Sequence, residues 1–186
     1  MKQFIFLCLF IFITAAGYSQ VLFGAKGGLN LATVTGNDLH NVSLHPSFHV
    51  GGFVNFLVTD KITVQPELLF SGKGVKSDEG TFNFGYIDIP VLAQYNSQGF
   101  FVEAGPQVGF LVSAKQKVNG NNVDFKGNMK STDLSWLLGI GYKTLSGFGV
   151  GARYDFGFYN IANQGIIRNK AIMISLFYTF NAATDQ

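Results

Sequence analysis

Eight segments of this chain alternate large apolar residues with small or polar ones, and the apolar row carries no charge in any of them. The last segment shows it most plainly. Ile172, Ile174, Leu176, Tyr178 and Phe180 fall on one side, and Met173, Ser175, Phe177 and Thr179 on the other. A period of two belongs to a β-strand, whose successive side chains point to opposite faces. No apolar period of 3.6 residues runs long enough to compete. Two all-β arrangements accommodate such strands. A soluble sandwich turns its oily faces inward, whereas a barrel crossing an outer membrane turns them to lipid and keeps a polar lumen.

The first residues bear on that choice. Lys2, the apolar run Phe4–Ile13 and the small residues up to Ser19 have the order of an export signal, with cleavage expected before Gln20. The run is short for an anchor, no basic stop-transfer cluster follows, and no later stretch is long and apolar enough for a spanning helix. The expectation is a signal peptide over 1–19, export through the Sec pathway, and one domain over 20–186. The only cysteine, Cys8, lies in the leader, so the mature chain has no disulfide to rely on. Charged residues make up 13% and aromatics 15%, too apolar a balance for disorder. Thirteen basic residues less Lys2 leave twelve against eleven acidic ones, which is no footprint for nucleic acid.

The predicted strands are Leu22–Ala32, Ser47–Val58, Ile62–Gly72, Phe84–Tyr95, Phe100–Leu111, Leu134–Thr144, Phe148–Gly157 and Lys170–Phe180. Each has about the 9–11 residues that cross a bilayer at a tilt. Thr59–Lys61, Asn96–Gly99 and Leu145–Gly147 are tight turns; Thr33–Pro46, Lys73–Asn83, Val112–Asp133 and Phe158–Asn169 are long and polar. Short periplasmic turns alternating with long outer loops mark an outer-membrane barrel, and an even strand count puts both termini in the periplasm. Aromatics gather at both ends of the outward rows: Phe23, Phe56, Tyr95, Phe100, Tyr142, Phe148 and Phe180 at the turn side, Phe48, Phe70, Phe110, Trp136 and Phe156 at the loop side. Two girdles at interface height suit a lipid-facing surface. Pro66 and Pro106 point outward in mid-strand, where each removes one ladder donor, and a bulge is the further expectation.

The inward rows carry the chemistry. Lys26, Glu67, Glu103 and Arg153 lie at comparable depth on four strands of the same direction, with Asp88 and Asp155 higher and Lys143 lower. Buried charges must pair, and an eight-stranded barrel is narrow enough to be filled by side chains. Lys26, Glu67, Asp88, Glu103, Arg153 and Asp155 therefore read as a structural lumen network in which Arg153 takes one or both glutamates. Inward glycines leave room for it. A proton relay, a gated pore or a catalytic dyad is the sharper alternative for the same residues.

Other constellations point to little. His45 and His49, four apart in a strand, stand roughly 13 Å from each other, too far to share a metal. Ser47, Ser135 and Ser175 lack a His-plus-carboxylate arrangement, and a lipid hydrolase would need one on the lipid-facing side. No catalytic, cofactor or metal site is expected.

Several segments also carry a family resemblance. Phe23–Ala32, Pro66–Ser71, Tyr86–Leu92, Ala104–Gly109 and Gly151–Tyr154 resemble, in order, the small PorT-type outer-membrane barrels of Bacteroidetes. The resemblance spans nearly all of the mature chain. It implies an eight-stranded antiparallel up-and-down barrel without catalytic residues, in a family whose namesake is implicated in type IX secretion and gliding-related export. The resulting expectation is a monomer in outer-membrane lipid with an accessory role, meeting a protein partner through loops or periplasmic turns and needing no cofactor. A narrow pore for ions or small solutes and an outer-leaflet lipid-modifying enzyme remain as alternatives.

Overall fold

The structure, a computed structural model, describes residues 21–36, 43–77, 80–118, 121–124, 130–158 and 167–180. The expected leader lies outside the described residues, as does the side chain of His45. Nine strands form among the described residues: β1 Val21–Gly36, β2 Ser43–Leu57, β3 Ile62–Ser77, β4 Gly80–Ser97, β5 Phe100–Val118, β6 Asn121–Asp124, β7 Thr132–Lys143, β8 Phe148–Gly157 and β9 Ile167–Phe180. Every pairing is antiparallel. β1 pairs with β2 and β9, and β4 pairs with β5, so the eight long strands close on themselves. The four-residue β6 pairs only with the loop-side end of β5.

The pairing register fixes the shape of the barrel. Followed one way from Lys26, partners run through Gly51, Leu69, Asp88 and Gly109 to Asp133. Followed the other way, they run through Phe177 and Gly149 to Lys143. The two paths reach β7 ten residues apart, from 133 to 143. A stagger of about 33 Å across eight strands, about 38 Å measured perpendicular to them, tilts the strands by roughly 41°. A barrel of this size has room inside for side chains and little else.

The faces sort as the alternation requires. Outward Leu176 is 70% exposed, Phe100 66% and Ile140 63%, whereas inward Leu69, Leu92 and Leu137 are fully buried. For apolar side chains of one size, that contrast makes sense only if the outer surface meets hydrocarbon. The turn-side girdle is in contact across strands, with ring centroids 4.8 Å apart for Phe100–Tyr142 and 4.6 Å for Phe148–Tyr178. The turn between β4 and β5 is a two-residue loop with positive φ at Gln98 (50°) and Gly99 (87°), the twist that matches flanking strands.

Two expectations need correction. The strands run well past the predicted boundaries on the loop side, so Lys73 lies in β3 and Asp133 in β7 rather than in loops. Pairing continues beyond the membrane because cross-strand hydrogen bonds do not depend on apolar alternation. The bulges expected at Pro66 and Pro106 are instead gaps in the ladder. The β2–β3 pairing lapses across Pro66 and the β4–β5 pairing across Pro106, and the same register resumes beyond each. Pro90 leaves a similar gap between β3 and β4. A missing N–H removes a ladder bond without inserting a residue. True register shifts occur between Leu44 and His49, spanning Pro46, and at Gly85–Tyr86.

Candidate functional site in the barrel lumen

The lumen is layered. At the turn-side end, Phe53, Phe101 and Phe177 meet edge to face, with centroids 6.0 and 5.9 Å apart. Each ring lies over a glycine. A Cβ on Gly24 would sit 2.1 Å from the Phe53 ring, on Gly141 2.3 Å from Phe101, and on Gly149 2.1 Å from Phe177. Glycine there is a packing requirement: three rings fill the mouth because three strands carry no side chain beneath them.

Above this floor lies the first charge layer. Arg153 donates from Nη1 to Glu67 Oε2 and from Nη2 to Glu67 Oε1, both at 2.7 Å. Its Nε donates to Glu103 Oε1, and Nη2 reaches Glu103 Oε2 at 3.1 Å. Lys26 Nζ donates to Glu67 Oε1 at 2.8 Å and stands 5.6 Å from the centre of the Phe53 ring. Gln65 donates to Glu67, and Gln94 donates to Glu103 Oε2 at 2.8 Å and to Gln65 Oε1 at 2.9 Å. Two cations and two anions make the layer formally neutral. All four charged residues are at most 6% exposed. Planar two-point pairing of this kind suits arginine.

The middle layer is polar and uncharged. Asn30 donates through Nδ2 to Ser71 Oγ at 3.0 Å and to the Gly72 carbonyl at 2.8 Å. Its Oδ1 lies 2.7 Å from His49 Nδ1, and His49 Nε2 lies 2.9 Å from Ser175 Oγ. Because Asn30 Oδ1 can only accept, the proton sits on Nδ1, and Nε2 accepts from the Ser175 hydroxyl. The order Ser–His–Asn has the form of a nucleophile, base and orienting group. Its three members are 3%, 1% and 1% exposed, with charge layers on either side. The chain of bonds joins β1, β2, β3 and β9 across the lumen.

The loop-side layer is acidic. Lys73 Nζ lies 3.0 Å from Asp155 Oδ2, 3.4 Å from Asp133 Oδ2 and 3.7 Å from Asp88 Oδ2. Its ammonium also stands 5.1 Å from the centre of the Tyr86 ring. Gln107 Nε2 donates to Ser135 Oγ at 3.2 Å and Asp155 Oδ2 at 3.3 Å. From Glu67 to Lys73 is six residues, about 20 Å of strand, which separates this layer from the first.

The six residues singled out in the sequence thus fall into two groups. Lys26, Glu67, Glu103 and Arg153 come together, while Asp88 and Asp155 join Lys73 and Asp133 in a separate one. Lys143 lines a small turn-side cavity with Asn55, Asn96 and Gly151, of about 10 Å³, room for at most one water. Lys73 and Asp133 were missed because both stood in presumed loops. Parity alone would have found them, since Lys73 continues the inward row Glu67, Leu69, Ser71, and Asp133 heads the row Ser135, Leu137.

Comparison with known proteins agrees with this architecture. A family model described as outer membrane protein beta-barrel domain matches residues 15–163. Among solved structures, Neisserial surface protein A superposes with a TM-score of 0.61 at 12% identity, covering 85% of this chain and 97% of that one. Ail, the attachment invasion locus protein of Yersinia pestis, superposes at 0.51 with 13% identity, covering 87% and 99%. These likenesses are of fold. No curated protein sequence matches the chain.

Proposed function

The chain belongs to the outer membrane protein beta-barrel domain family, and on that premise we propose that it is a structural, accessory barrel of the outer membrane whose rigid wall presents loops and turns to a partner. The observation that carries this reading is the filled lumen. An aromatic floor, a neutral ion-pair layer, a polar layer and an acidic layer follow one another, and the charged members of both ion-pair layers are at most 6% exposed. A conduit would need a hydrated path, and catalysis would need a reactive group that a substrate can reach.

Reconstitution into planar bilayers tests the proposal. The purified barrel should insert, migrate heat-modifiably on detergent gels and show no steady unitary conductance. Stable single-channel steps would refute the closed-lumen reading and favour a narrow pore. The finer role, accessory to protein export, rests on the resemblance of Phe23–Ala32, Pro66–Ser71 and Tyr86–Leu92 to PorT-type barrels. Deletion of the protein should then reduce secretion of export-dependent cargo; unchanged secretion would remove that role and leave the barrel itself untouched.

A further inference from the structure

The outer wall is not evenly clad. Ala93 and Ala104 are cross-strand partners on β4 and β5, and Ala152 on β8 stands opposite Ile140. All three point outward, in rows whose other members are large. With Leu138, Tyr154 and Ile172 as walls, they sink a groove of about 820 Å³ into the lipid-facing surface. Ligand clefts commonly enclose about 300–1,000 Å³. The groove also has a direction. Partners run from Ala93 through Ala104, Leu138 and Tyr154 to Ile172, the sense in which the pairings climb from Lys26 to Asp133. Its low end lies at the paired Ile62 and Tyr95, and its high end at Tyr154 and Ile172. Five strand-to-strand steps from β3 to β9 make about 24 Å, a path that an extended acyl chain can occupy.

A cation stands above the high end. Along the outward row of β9, Phe180, Tyr178, Leu176, Ile174 and Ile172 are followed by Lys170. Lys170 is part-buried and makes no hydrogen bond or ion pair among the described residues. Its register partner on β8 is Phe156, whose own partner on β7 is Trp136. Both belong to the loop-side girdle, so Lys170 is set at the height of lipid headgroups. A lysine there lays its stem along apolar surface and keeps its charge at the interface. Tyr154 and Phe156 supply that surface, with ring centroids 6.1 Å apart and planes at 25°. A second outward hollow, of about 640 Å³ over Ala25 and Gly27, differs in this respect. It ends at Val50, above which the outward row of β2 continues with Phe48 and carries no cation.

We propose that this groove binds one anionic lipid of the outer leaflet, with its phosphate on Lys170 and one acyl chain over Ala93, Ala104 and Ala152. The two halves of the ligand follow from the two halves of the site. A sunken apolar floor between the girdles takes a hydrocarbon chain. An unpaired lysine at interface height takes a phosphate as a point charge, and charge complementarity selects an anionic head over a zwitterionic one. The inference presupposes that the wall meets lipid; it does not depend on the accessory role of the barrel.

Trp136, the only tryptophan, reports on the site: it stands two strands from Lys170 and two residues from Leu138. The test uses the refolded full-length barrel in phosphatidylcholine vesicles doped with phosphatidylcholine or phosphatidic acid carrying brominated acyl chains. Brominated phosphatidylcholine should quench Trp136 in proportion to its mole fraction. Brominated phosphatidic acid should quench as a lipid favoured about fivefold over phosphatidylcholine. Lys170→Gln should abolish that preference and leave quenching by phosphatidylcholine unchanged. Ala104→Leu keeps the charge and fills the groove, so it should weaken the preference; Ala152→Leu is the second variant if the first does not migrate as a folded barrel. Inorganic phosphate at equal ionic strength should not compete. Equal quenching by the two lipids in the wild type would overturn the site and leave the lipid-facing wall standing, whereas no quenching by either would overturn the wall itself. A preference that survives Lys170→Gln, is untouched by filling the groove, or is displaced by inorganic phosphate would likewise refute the proposal.

Discussion

Removal of Arg153 is the most direct probe of the neutral charge layer. Arg153→Met keeps much of the side-chain volume but withdraws four N–H contacts from two carboxylates. Glu67 would retain Lys26 and Gln65, and Glu103 would retain only Gln94. One uncompensated negative charge then remains in a closed lumen, and the expected cost is about 3–5 kcal/mol. Glu67→Leu strands positive charge instead, at a similar cost. Independent sites would make the double variant about 6–10 kcal/mol less stable than the wild type. The double variant, however, leaves one Lys26 and one Glu103, a neutral pair, so it should fall roughly 2–3 kcal/mol short of that sum. Equilibrium urea unfolding in micelles, followed by tryptophan fluorescence, gives all three values. Arg153→Lys preserves the charge and loses the fork, and should lie between wild type and Arg153→Met. Strict additivity within about 0.5 kcal/mol would refute direct coupling between Arg153 and Glu67.

The two faces of β7 offer further checks. Leu138, outward and 49% exposed, sits in mid-strand. Leu138→Arg places a charge in hydrocarbon and should cost roughly 2–4 kcal/mol in bilayer folding, with no such penalty if that face does not meet lipid. Its neighbour Gly139 points inward, where a Cβ would lie 2.7 Å from Glu103 Oε1 and 2.9 Å from Arg153 Cγ. Gly139→Val should therefore cost about 1–3 kcal/mol by displacing the ion pairs, while Gly27→Ala, whose Cβ meets nothing nearer than 3.7 Å, should be near neutral. Equal urea midpoints for the two glycine variants would contradict the packed lumen.

The sequence spoke clearly about faces and poorly about depth. Hydrocarbon tolerates no charge, so every outward row from Phe23 to Phe180 declared itself by chemistry alone. Strand ends did not, because past the hydrocarbon the outward side chains are free to be polar. Lys73, with Gly72 and Gly74 beside it, carries no apolar signal, although Lys73 pairs with Phe84 as regularly as any residue in the sheet. Which inward charges meet was also hidden. Glu67 and Arg153 are 86 residues apart, and their contact depends on a stagger that only the full set of pairings defines. The aromatic floor was obscured for a related reason: the glycines at 24, 141 and 149 were visible as inward space, but nothing local said which ring each would receive.

That dependence on stagger gives the first charge layer a role beyond satisfying its own members. It ties β1 through Lys26, β3 through Glu67, β4 through Gln94, β5 through Glu103 and β8 through Arg153, and several of these strands are not neighbours in the sheet. A slip of one residue between any two strands would turn a charge toward lipid. A slip of two keeps the faces but moves a carboxylate about 7 Å along the barrel, beyond the reach of a fork that closes at 2.7 Å. The outward hydrophobic pattern penalises only the first kind of error. The second is penalised by contacts inside the lumen, so the ion-pair layer specifies register where the lipid-facing surface cannot.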